Sequence, residues 1–303
     1  VDMEQSGQYD CNFYAQIPVD QYRGQEIRVA MEDAPEIFAE GIHISDKQED
    51  AADTHPVIHF AARSGWTNDP NGMIYDNGVY HLYFQYNPFG IQWNNMSWGH
   101  AVSRDLLHWE QVDSVMFPDE NGTIYSGCAI RNEQGLLGLP EDALLFFYTA
   151  AGGNDEWSRG QQFTQKIAYS LDGGRTLHKI KEPCVPVIYP DSRDPKVYWH
   201  EESGAYIMAL WLRGNDFGIL RSEDLKNWKL VDEFTLKDGW ECPDIFELSS
   251  EEGEKCWFFW SADGFYYEGE FDGHDFKTDG KKKWAYISGL PYTAQTFSGV
   301  NGR

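Results

Sequence analysis

Three short motifs place a carboxylate beside a proline or a cysteine, outside any run of charges. They are Trp66-Thr67-Asn68-Asp69-Pro70-Asn71-Gly72, Arg193-Asp194-Pro195 and Glu241-Cys242-Pro243-Asp244. Two carboxylates that face each other across a sugar-sized cleft are the minimum equipment for breaking a glycosidic bond, and a third can hold the sugar. The sequence therefore suggests glycosidase chemistry, provided that Asp69, Asp194 and Glu241 meet in space.

The elements available to position these acids are short β-strands. From His59 onward, runs of β-branched and aromatic residues alternate with turn signals, and sustained helical periodicity is scarce. The Asn77-Gly78 pair between two such runs predicts a type I′ hairpin turn. The predicted strands are 73–75, 79–84, 143–149, 166–170, 196–199, 205–212, 217–221, 255–260 and 265–271. We therefore expect an all-β protein.

A short motif recurs along the chain. Ser103-Arg104-Asp105-Leu106-Leu107-His108-Trp109 matches Ser222-Glu223-Asp224-Leu225-Lys226-Asn227-Trp228 at four positions, and 170–176 is a looser copy between them. A four-strand unit that recurs about every 50 residues is typical of a β-propeller blade. The Ser-x-Asp element would then be the turn between the third and fourth strands of a blade. The alternative is a chance match among turn-forming residues.

A propeller would also bring the three acids together. Each acid lies just before the first hairpin of a predicted blade, and the first strands of the blades line the central channel. Asp69, Asp194 and Glu241 would then converge at one mouth of this channel. The alternative for such isolated acids is a plain turn, and Asp69-Pro70-Asn71-Gly72 taken alone is a good turn sequence.

Composition restricts the partners of the protein. The chain has 49 acidic and 24 basic residues, a formal charge of −25, so no nucleic acid is expected as a partner. No stretch approaches the roughly 20 apolar residues of a membrane span, and the N-terminus carries no recognisable signal peptide. Five cysteines exclude a complete disulfide framework, and neither they nor the histidines have a metal-ligand spacing. Aromatic residues, 16% of the chain, suit both sheet packing and stacking on sugar rings.

The first 50 residues differ from the rest of the chain. Segments 9–19 and 26–31 are predicted strands, and the polar run 46–53 is a predicted linker. Fifty residues with so little core are marginally stable by themselves. We therefore expect 1–50 to be the remnant of an N-terminal β-module with its linker, and 56–303 to be the main domain.

The motifs together resemble glycoside hydrolase family 32, the invertases, inulinases and levanases. The family's W-[MT]-N-D-P-N-G, R-D-P and E-C-P-D signatures match 66–72, 193–195 and 241–244. The flanking stretches 80–88, 98–101 and 125–127 fit as well, and the match covers about 56–303. Residues 86–108 are most similar to bacterial levanases and exo-fructosidases. The resemblance thus implies a bacterial, extracytoplasmic protein that is secreted, periplasmic or bound to the cell surface.

The same resemblance implies a five-bladed β-propeller followed by a β-sandwich. Residues 294–298 resemble the start of the fifth blade, and the sequence ends at Arg303. We therefore expect an incomplete fifth blade, with the C-terminal part of the propeller and the β-sandwich missing. Unpaired sheet edges would result, so the activity of this stretch by itself needs a separate test.

The family also implies a role for each acid. Asp69 would be the nucleophile, Glu241 the general acid/base and Asp194 the transition-state stabiliser of a retaining hydrolase that releases β-D-fructofuranosyl units. Glu241 must carry a proton near the working pH, so we expect it to be buried or beside other carboxylates. The carboxyl groups of a retaining pair lie about 5–5.5 Å apart, and the reaction needs no metal or organic cofactor.

Six further residues are implied in substrate binding, with packing in the core as the alternative for each. They are Trp66, Asn68, Gln85, Trp93, Ser126 and Arg193. The implied substrate is a fructan, either levan or inulin, or sucrose. Fructosyl transfer to a sugar, and fructan binding without turnover, are the alternative functions. The motifs do not determine linkage preference, exo or endo action, or oligomeric state.

Overall fold

The computed structural model describes residues 19, 22–26, 56, 58–289 and 291–300. These residues form four antiparallel sheets and a short 3-10 turn at Leu136–Gly138, which confirms the all-β prediction. In the part of the chain that is described, no helix is long and apolar enough to cross a membrane. The predicted module 1–50, with its strands 9–19 and 26–31 and its linker, lies almost entirely outside the described residues and stays a prediction.

The first two sheets, which we call blades I and II, each pair their strands in chain order. Blade I consists of β1 (Trp66–Asp76), β2 (Val79–Asn87), β3 (Ser97–Ser103) and β4 (Trp109–Met116). Blade II consists of β5 (Thr123–Arg131), β6 (Leu144–Ala151), β7 (Thr164–Ser170) and β8 (His178–Lys179).

Blades III and IV repeat this pattern, with one additional short strand on blade IV. Blade III consists of β9 (Arg193–His200), β10 (Ala205–Arg213), β11 (Asp216–Ser222) and β12 (Lys229–Thr235). Blade IV consists of β13 (Asp244–Ser249), β14 (Lys255–Trp260), β15 (Phe265–Phe271) and β16 (Phe276–Thr278), with β17 (Lys283–Trp284) paired to β15.

The first strands of the blades lie side by side. β1 contacts β5 and β5 contacts β9, which is the arrangement of a β-propeller around its channel. The predicted propeller is thus confirmed with four blades. No fifth sheet is present among the described residues, so the finer prediction of five blades goes beyond what the structure contains.

Large aromatic side chains fill the space between blades. Between blades I and II, Trp98 and Tyr83 pack against Phe146 with ring centroids 6.5 and 5.0 Å apart. Between blades III and IV, Phe217 meets Phe259 edge to face at 5.1 Å. Buried aromatic pairs contribute apolar area and about 0.5–1.5 kcal/mol of ring contact each. Much of the aromatic content therefore serves the core.

The repeated Ser-x-Asp motif lies where it is predicted, between the third and fourth strands of blades I, II and III. In blade III, the Asp224 carboxylate accepts the backbone N–H groups of Lys226 and Asn227 at 2.9 and 2.8 Å. These backbone hydrogen bonds lower the pKa of Asp224 to about 2. Leu225, which follows the aspartate, has a φ of 62°, so the turn includes a left-handed residue.

Blade IV has the same turn without the serine, so the Ser-x-Asp repeat in the sequence does not include it. Asp272 accepts the N–H groups of His274 and Asp275 at 2.8 and 2.9 Å, and Gly273 has a φ of 84°. The aspartate and the left-handed residue are therefore the parts that the turn requires. The predicted type I′ turn between β1 and β2 is confirmed as well, because Asn77 and Gly78 have φ of 48° and 84°.

A buried histidine pair lies in blade I. His81 Nδ1 and His100 Nε2 are 3.0 Å apart, and the His100 ring stacks on Tyr83 at 4.1 Å. Burial lowers the pKa of both histidines, that of His100 to about 3 with a further contribution from His81. Two aspartates on the facing elements act in the opposite direction: Asp76 raises the pKa of His81, and Asp172 raises that of His100. Burial is the larger effect in both cases. Both rings are therefore neutral in the folded protein at neutral pH.

This pair predicts a loss of stability in mild acid. A histidine in the unfolded chain protonates near pH 6.5. The stability that the buried neutral pair contributes is therefore complete above that pH. It is lost below it, at up to about 1.4 kcal/mol per pH unit for each histidine. Urea unfolding between pH 7 and pH 4.5 should show a weaker pH dependence in His100→Gln than in wild type. The exposed His178 is the control, because His178→Gln should keep the wild-type dependence. Equal slopes in His100→Gln and wild type would contradict the prediction.

Candidate active site

Asp69 lies inside β1, at an irregularity of the strand. Thr67 pairs with Tyr86 and Pro70 with Phe84, so Asn68 and Asp69 together face the single residue Gln85. Such a β-bulge re-aims side chains. The alternative interpretation of 69–72 as a plain turn is therefore wrong.

Two hydrogen bonds orient the Asp69 carboxylate. Ser126 of β5 donates its hydroxyl to Oδ2 at 2.7 Å, and Asn68 donates Nδ2 to Oδ1 at 3.2 Å. The indole of Trp66 in turn donates to Asn68 Oδ1 at 2.8 Å. Predicted binding residues from β1 and β5 thus surround the predicted nucleophile.

Asp194 lies at the start of β9 and is 5% exposed. Its φ of 64° is unusual for a residue other than glycine, and its backbone N–H donates to the Thr149 hydroxyl at 3.0 Å. Gln165 anchors this threonine, because Thr149 Oγ1 donates to Gln165 Oε1 at 2.7 Å. Backbone strain of this kind persists only where the surroundings enforce it, and it clusters at functional sites.

Cys242 joins the three motifs. Its backbone N–H donates to Asp194 Oδ2 at 3.2 Å, and its Sγ lies 3.4 Å from the same oxygen and 3.7 Å from Asp69 Oδ2. Glu241 and Cys242 have φ of 24° and 42°, a second strained segment just before β13. The structure therefore brings together the motifs that carry Asp69, Asp194 and Glu241, as the propeller hypothesis requires.

Donors hold both oxygens of the Glu241 carboxylate. Arg193 donates from Nε and Nη2 to Oε2 at 3.0 and 2.7 Å. Oε1 accepts from the Trp240 indole at 2.6 Å and from the Tyr292 hydroxyl at 2.5 Å. The Arg193 guanidinium also lies over the Trp211 ring at 3.9 Å. Glu241 thus has one fixed orientation at the edge of the site.

The electrostatics of the site centre on Asp194. The pKa of Asp194 is raised to about 7. Burial is the largest cause, Glu241 and Asp69 contribute to the rise, and Arg193 and the Cys242 N–H oppose it. Burial and the same three carboxylates raise the pKa of the Cys242 thiol well above its usual value. The thiol therefore stays protonated and is a neutral donor between two acids.

The remaining predicted binding residues lie around this group. Gln85 is buried opposite the bulge that carries Asp69. Trp93 is 51% exposed and meets the ring of Tyr125 edge to face at 5.8 Å. Arg193, Asp194 and Glu241 all affect the pKa of Tyr125, which burial raises to about 12. Trp93 thus lies at the rim of the site rather than beside the acids.

Sequence analysis missed several residues that hold the catalytic candidates. Trp240 directly precedes the motif that begins at Glu241, so its position in the sequence could have indicated that it contacts this acid. Tyr292, Thr149 and Trp211 carry no motif and lie far along the chain from the acids that they contact or support. In the described ranges, no group of histidine, cysteine, aspartate or glutamate residues is arranged to hold a metal ion.

Comparison with known proteins identifies the family. Residues 59–303 match the family model described as "Glycosyl hydrolases family 32 N-terminal domain". The chain belongs to glycoside hydrolase family 32. The family 32 chain is 38% identical over 273 residues to a levanase of Bacillus subtilis, an alignment that covers 82% of this chain and 39% of the levanase. It is 35% identical over 262 residues to the extracellular exo-inulinase inuE of Aspergillus niger, an alignment that covers 73% of this chain and 49% of the exo-inulinase.

Solved structures of the family are similar in fold. A fructofuranosidase from Schwanniomyces occidentalis complexed with fructose is 34% identical and superposes with a TM-score of 0.73 over 82% of this chain and 52% of that one. An exo-inulinase from Aspergillus awamori is 31% identical and superposes with a TM-score of 0.69 over 81% of this chain and 57% of that one. The family 32 chain thus spans about half of these relatives, or less.

The raised pKa of Asp194 predicts a stability cost in the family 32 domain. An unfolded aspartate has a pKa of about 3.9, so ionisation of Asp194 disfavours the folded state increasingly between about pH 4 and pH 7. Asp194→Asn should therefore be more stable than wild type at pH 8, by about 2 kcal/mol, with the difference shrinking toward pH 4.

Asp224→Asn is the control of opposite sign, because hydrogen bonds lower the pKa of Asp224 and its charge favours the folded state at pH 8. Chemical unfolding at pH 8, 6 and 4 measures both variants. An Asp194→Asn protein that is less stable than wild type at pH 8 would be inconsistent with this electrostatic account.

Proposed function

We propose that the chain carries the catalytic site of a retaining β-fructosidase, which hydrolyses terminal β-D-fructofuranosyl linkages of levan, inulin or sucrose. The observation that carries this proposal is the convergence of Asp69, Asp194 and Glu241 around Cys242. Relatives named levanase, exo-inulinase and invertase support the substrate class. The solved Schwanniomyces fructofuranosidase in complex with fructose supports fructose as the sugar unit that the site binds.

Asp69 is the proposed nucleophile. Its carboxylate attacks C2 of the fructosyl unit, and the bond from C2 to the leaving oxygen breaks as the bond to Asp69 forms. The hydrogen bonds from Ser126 and Asn68 orient the carboxylate for this attack. Positioning of this kind lowers the barrier because the reacting groups need no further ordering.

Glu241 is the proposed general acid and base. It gives a proton to the leaving oxygen in the first step, and takes one from the water that attacks C2 and releases Asp69 in the second. Arg193, Trp240 and Tyr292 fix its orientation toward the substrate. The expected separation of about 5–5.5 Å between the two carboxyl groups remains part of the proposal.

Asp194 is the proposed transition-state stabiliser. As a carboxylate it offsets the positive charge that develops on the fructose ring, and with a pKa near 7 it also exists as an acid that donates to a sugar hydroxyl. Gln85, Trp66 and Trp93 are proposed to line the fructose pocket. Fructose and its polymers are uncharged, so the acidic protein does not repel them.

We further propose that 56–303 is the propeller domain of a longer enzyme and that 291–300 begins its fifth blade. Ser298 donates to the Met73 carbonyl at 3.0 Å and accepts from the Tyr75 N–H at 2.8 Å, parallel to β1. Thr296 donates its N–H at 2.6 Å to Asp244 of β13. A segment that bonds to first strands of both blade I and blade IV supports a blade between them.

An extracellular location is part of the proposal, supported by the Aspergillus relatives named extracellular exo-inulinases. A bacterial source is supported by the similarity to the Bacillus subtilis levanase. Fructosyl transfer uses the same acids with a sugar in place of water, and fructan binding without turnover would leave the intact acids unexplained.

Substitution of the two acids tests the mechanism. In the full-length protein, Asp69→Ala should abolish fructose release from levan, inulin and sucrose, and Glu241→Ala should lower kcat by about 10²–10⁴-fold. Glu223→Ala, at an exposed acid on the opposite face, should be fully active. Azide should partly restore turnover of an activated fructoside by Glu241→Ala. Near-wild-type turnover in either active-site variant would refute the assignment.

Product analysis resolves the finer alternatives. Fructose alone from levan or inulin indicates exo hydrolysis, a ladder of oligosaccharides indicates endo hydrolysis, and longer chains indicate transfer. No product from any fructoside, with binding retained, would support the non-catalytic alternative.

A further inference from the structure

A cavity of 460 Å³ lies outside the group of catalytic candidates. It is lined by Pro118, Asp119, Glu120 and Trp157. The first three residues belong to the segment that leads into β5, and Trp157 belongs to the loop that joins β6 to β7. No role in the proposed reaction uses any of these residues.

The strand pairing places this cavity on the catalytic face of the propeller. Asp69, Ser126 and Asp194 all lie in the first half of an innermost strand, so the beginnings of these strands form that face. Thr123 at the start of β5 pairs with Ala151 at the end of β6. The segment before β5 and the loop after β6 therefore both emerge beside the mouth of the channel.

Tyr125 connects the cavity side with the catalytic site. From the loop that carries Trp157, Asn154 donates Nδ2 to the Tyr125 hydroxyl at 2.8 Å, and Phe163 packs on the Tyr125 ring at 5.4 Å. The ring of Tyr125 also meets that of Trp93, with centroids 5.8 Å apart. Glu120 and Ser126 are six residues apart, a chain distance of at most about 20 Å. A bound oligosaccharide has the length to reach from one to the other.

The walls of the cavity are held in place by hydrogen bonds. Trp157 is 46% exposed, and the turn around it is closed by Asp155 Oδ1, which accepts from the Ser158 N–H and hydroxyl at 2.8 Å each. Asp119 is fixed by Lys179, which donates to its Oδ2 at 2.7 Å. The indole is therefore presented to solvent on an ordered turn.

An exposed indole beside carboxylates is a combination that suits a bound sugar. The electron-rich face of an exposed indole attracts the weakly positive C–H groups of a sugar ring, and carboxylate oxygens accept hydrogen bonds from hydroxyl groups. An anion is disfavoured, because Lys179 is paired with Asp119 and Glu120 adds a second negative charge.

We propose that the cavity is a distal subsite, which binds a sugar unit of a fructan chain whose terminal fructose occupies the catalytic pocket. This inference rests on the proposed function and adds a preference for chain length. A long fructan reaches Trp157 and gains a contact that sucrose does not make. The enzyme therefore favours polymers over the disaccharide.

The test compares two exposed tryptophans in the full-length protein. Trp157→Ala should lower kcat/KM for levan or inulin oligosaccharides about tenfold, the effect of losing a contact of about 1.4 kcal/mol. Its kcat/KM for sucrose should stay within about twofold of wild type, which also confirms that the variant folds. Trp284→Ala removes a 64% exposed tryptophan on blade IV and should leave kcat/KM unchanged for both the oligosaccharides and sucrose.

A binding measurement separates this subsite from the proposed function. Titration of Asp69→Ala protein with non-hydrolysed fructo-oligosaccharides should give an affinity that rises with chain length, and adding Trp157→Ala should remove the rise. Failure of wild type to hydrolyse any fructoside would overturn the proposed function, while the titration still decides the subsite. An equal effect of Trp157→Ala on short and long substrates, or none on either, would overturn the subsite.

Discussion

Three carboxylates share one partly buried site, and their mutual repulsion is the constraint on which the rest of the structure depends. Burial is the main cause of the raised pKa of Asp194, and the charges of Glu241 and Asp69 add to it. Arg193 and the neutral thiol and N–H of Cys242 offset this repulsion by direct contact. The backbone is strained at Asp194, Glu241 and Cys242, and the contacts around these residues hold it in that conformation.

The propeller supplies the rigidity that this arrangement needs. Each acid lies at or near the start of a first strand, and the aromatic layers between blades fix the strands relative to one another. The hydrogen-bond partners come from different blades: Ser126 of blade II donates to the Asp69 carboxylate of blade I, and Thr149 of blade II accepts the backbone N–H of Asp194 of blade III. A shift of one blade would therefore disturb two acids at once, which ties the chemistry to the packing of the whole domain.

Local features were predictable because they depend on residues close together in the chain. The Asn77-Gly78 turn and the Ser-x-Asp turns follow from turn chemistry, and the strands rich in aromatic and β-branched residues were recognised as well. Strands whose apolar runs are interrupted were missed, including β5, which contains Ser126 and Gly127, and β13, which contains two acids and follows a proline. Their pairing depends on neighbouring strands more than on their own composition.

The sequence by itself determined which carboxylates are the catalytic candidates and which family the chain resembles, since both follow from contiguous motifs. Only the tertiary structure decided that Cys242 lies between Asp69 and Asp194, that Tyr292 and Trp240 hold Glu241, and that Asp194 has the raised pKa. Cys242 and Asp69 are 173 positions apart. The distance between such residues, and the dielectric around them, is set by how blades pack, which no local pattern of residues encodes.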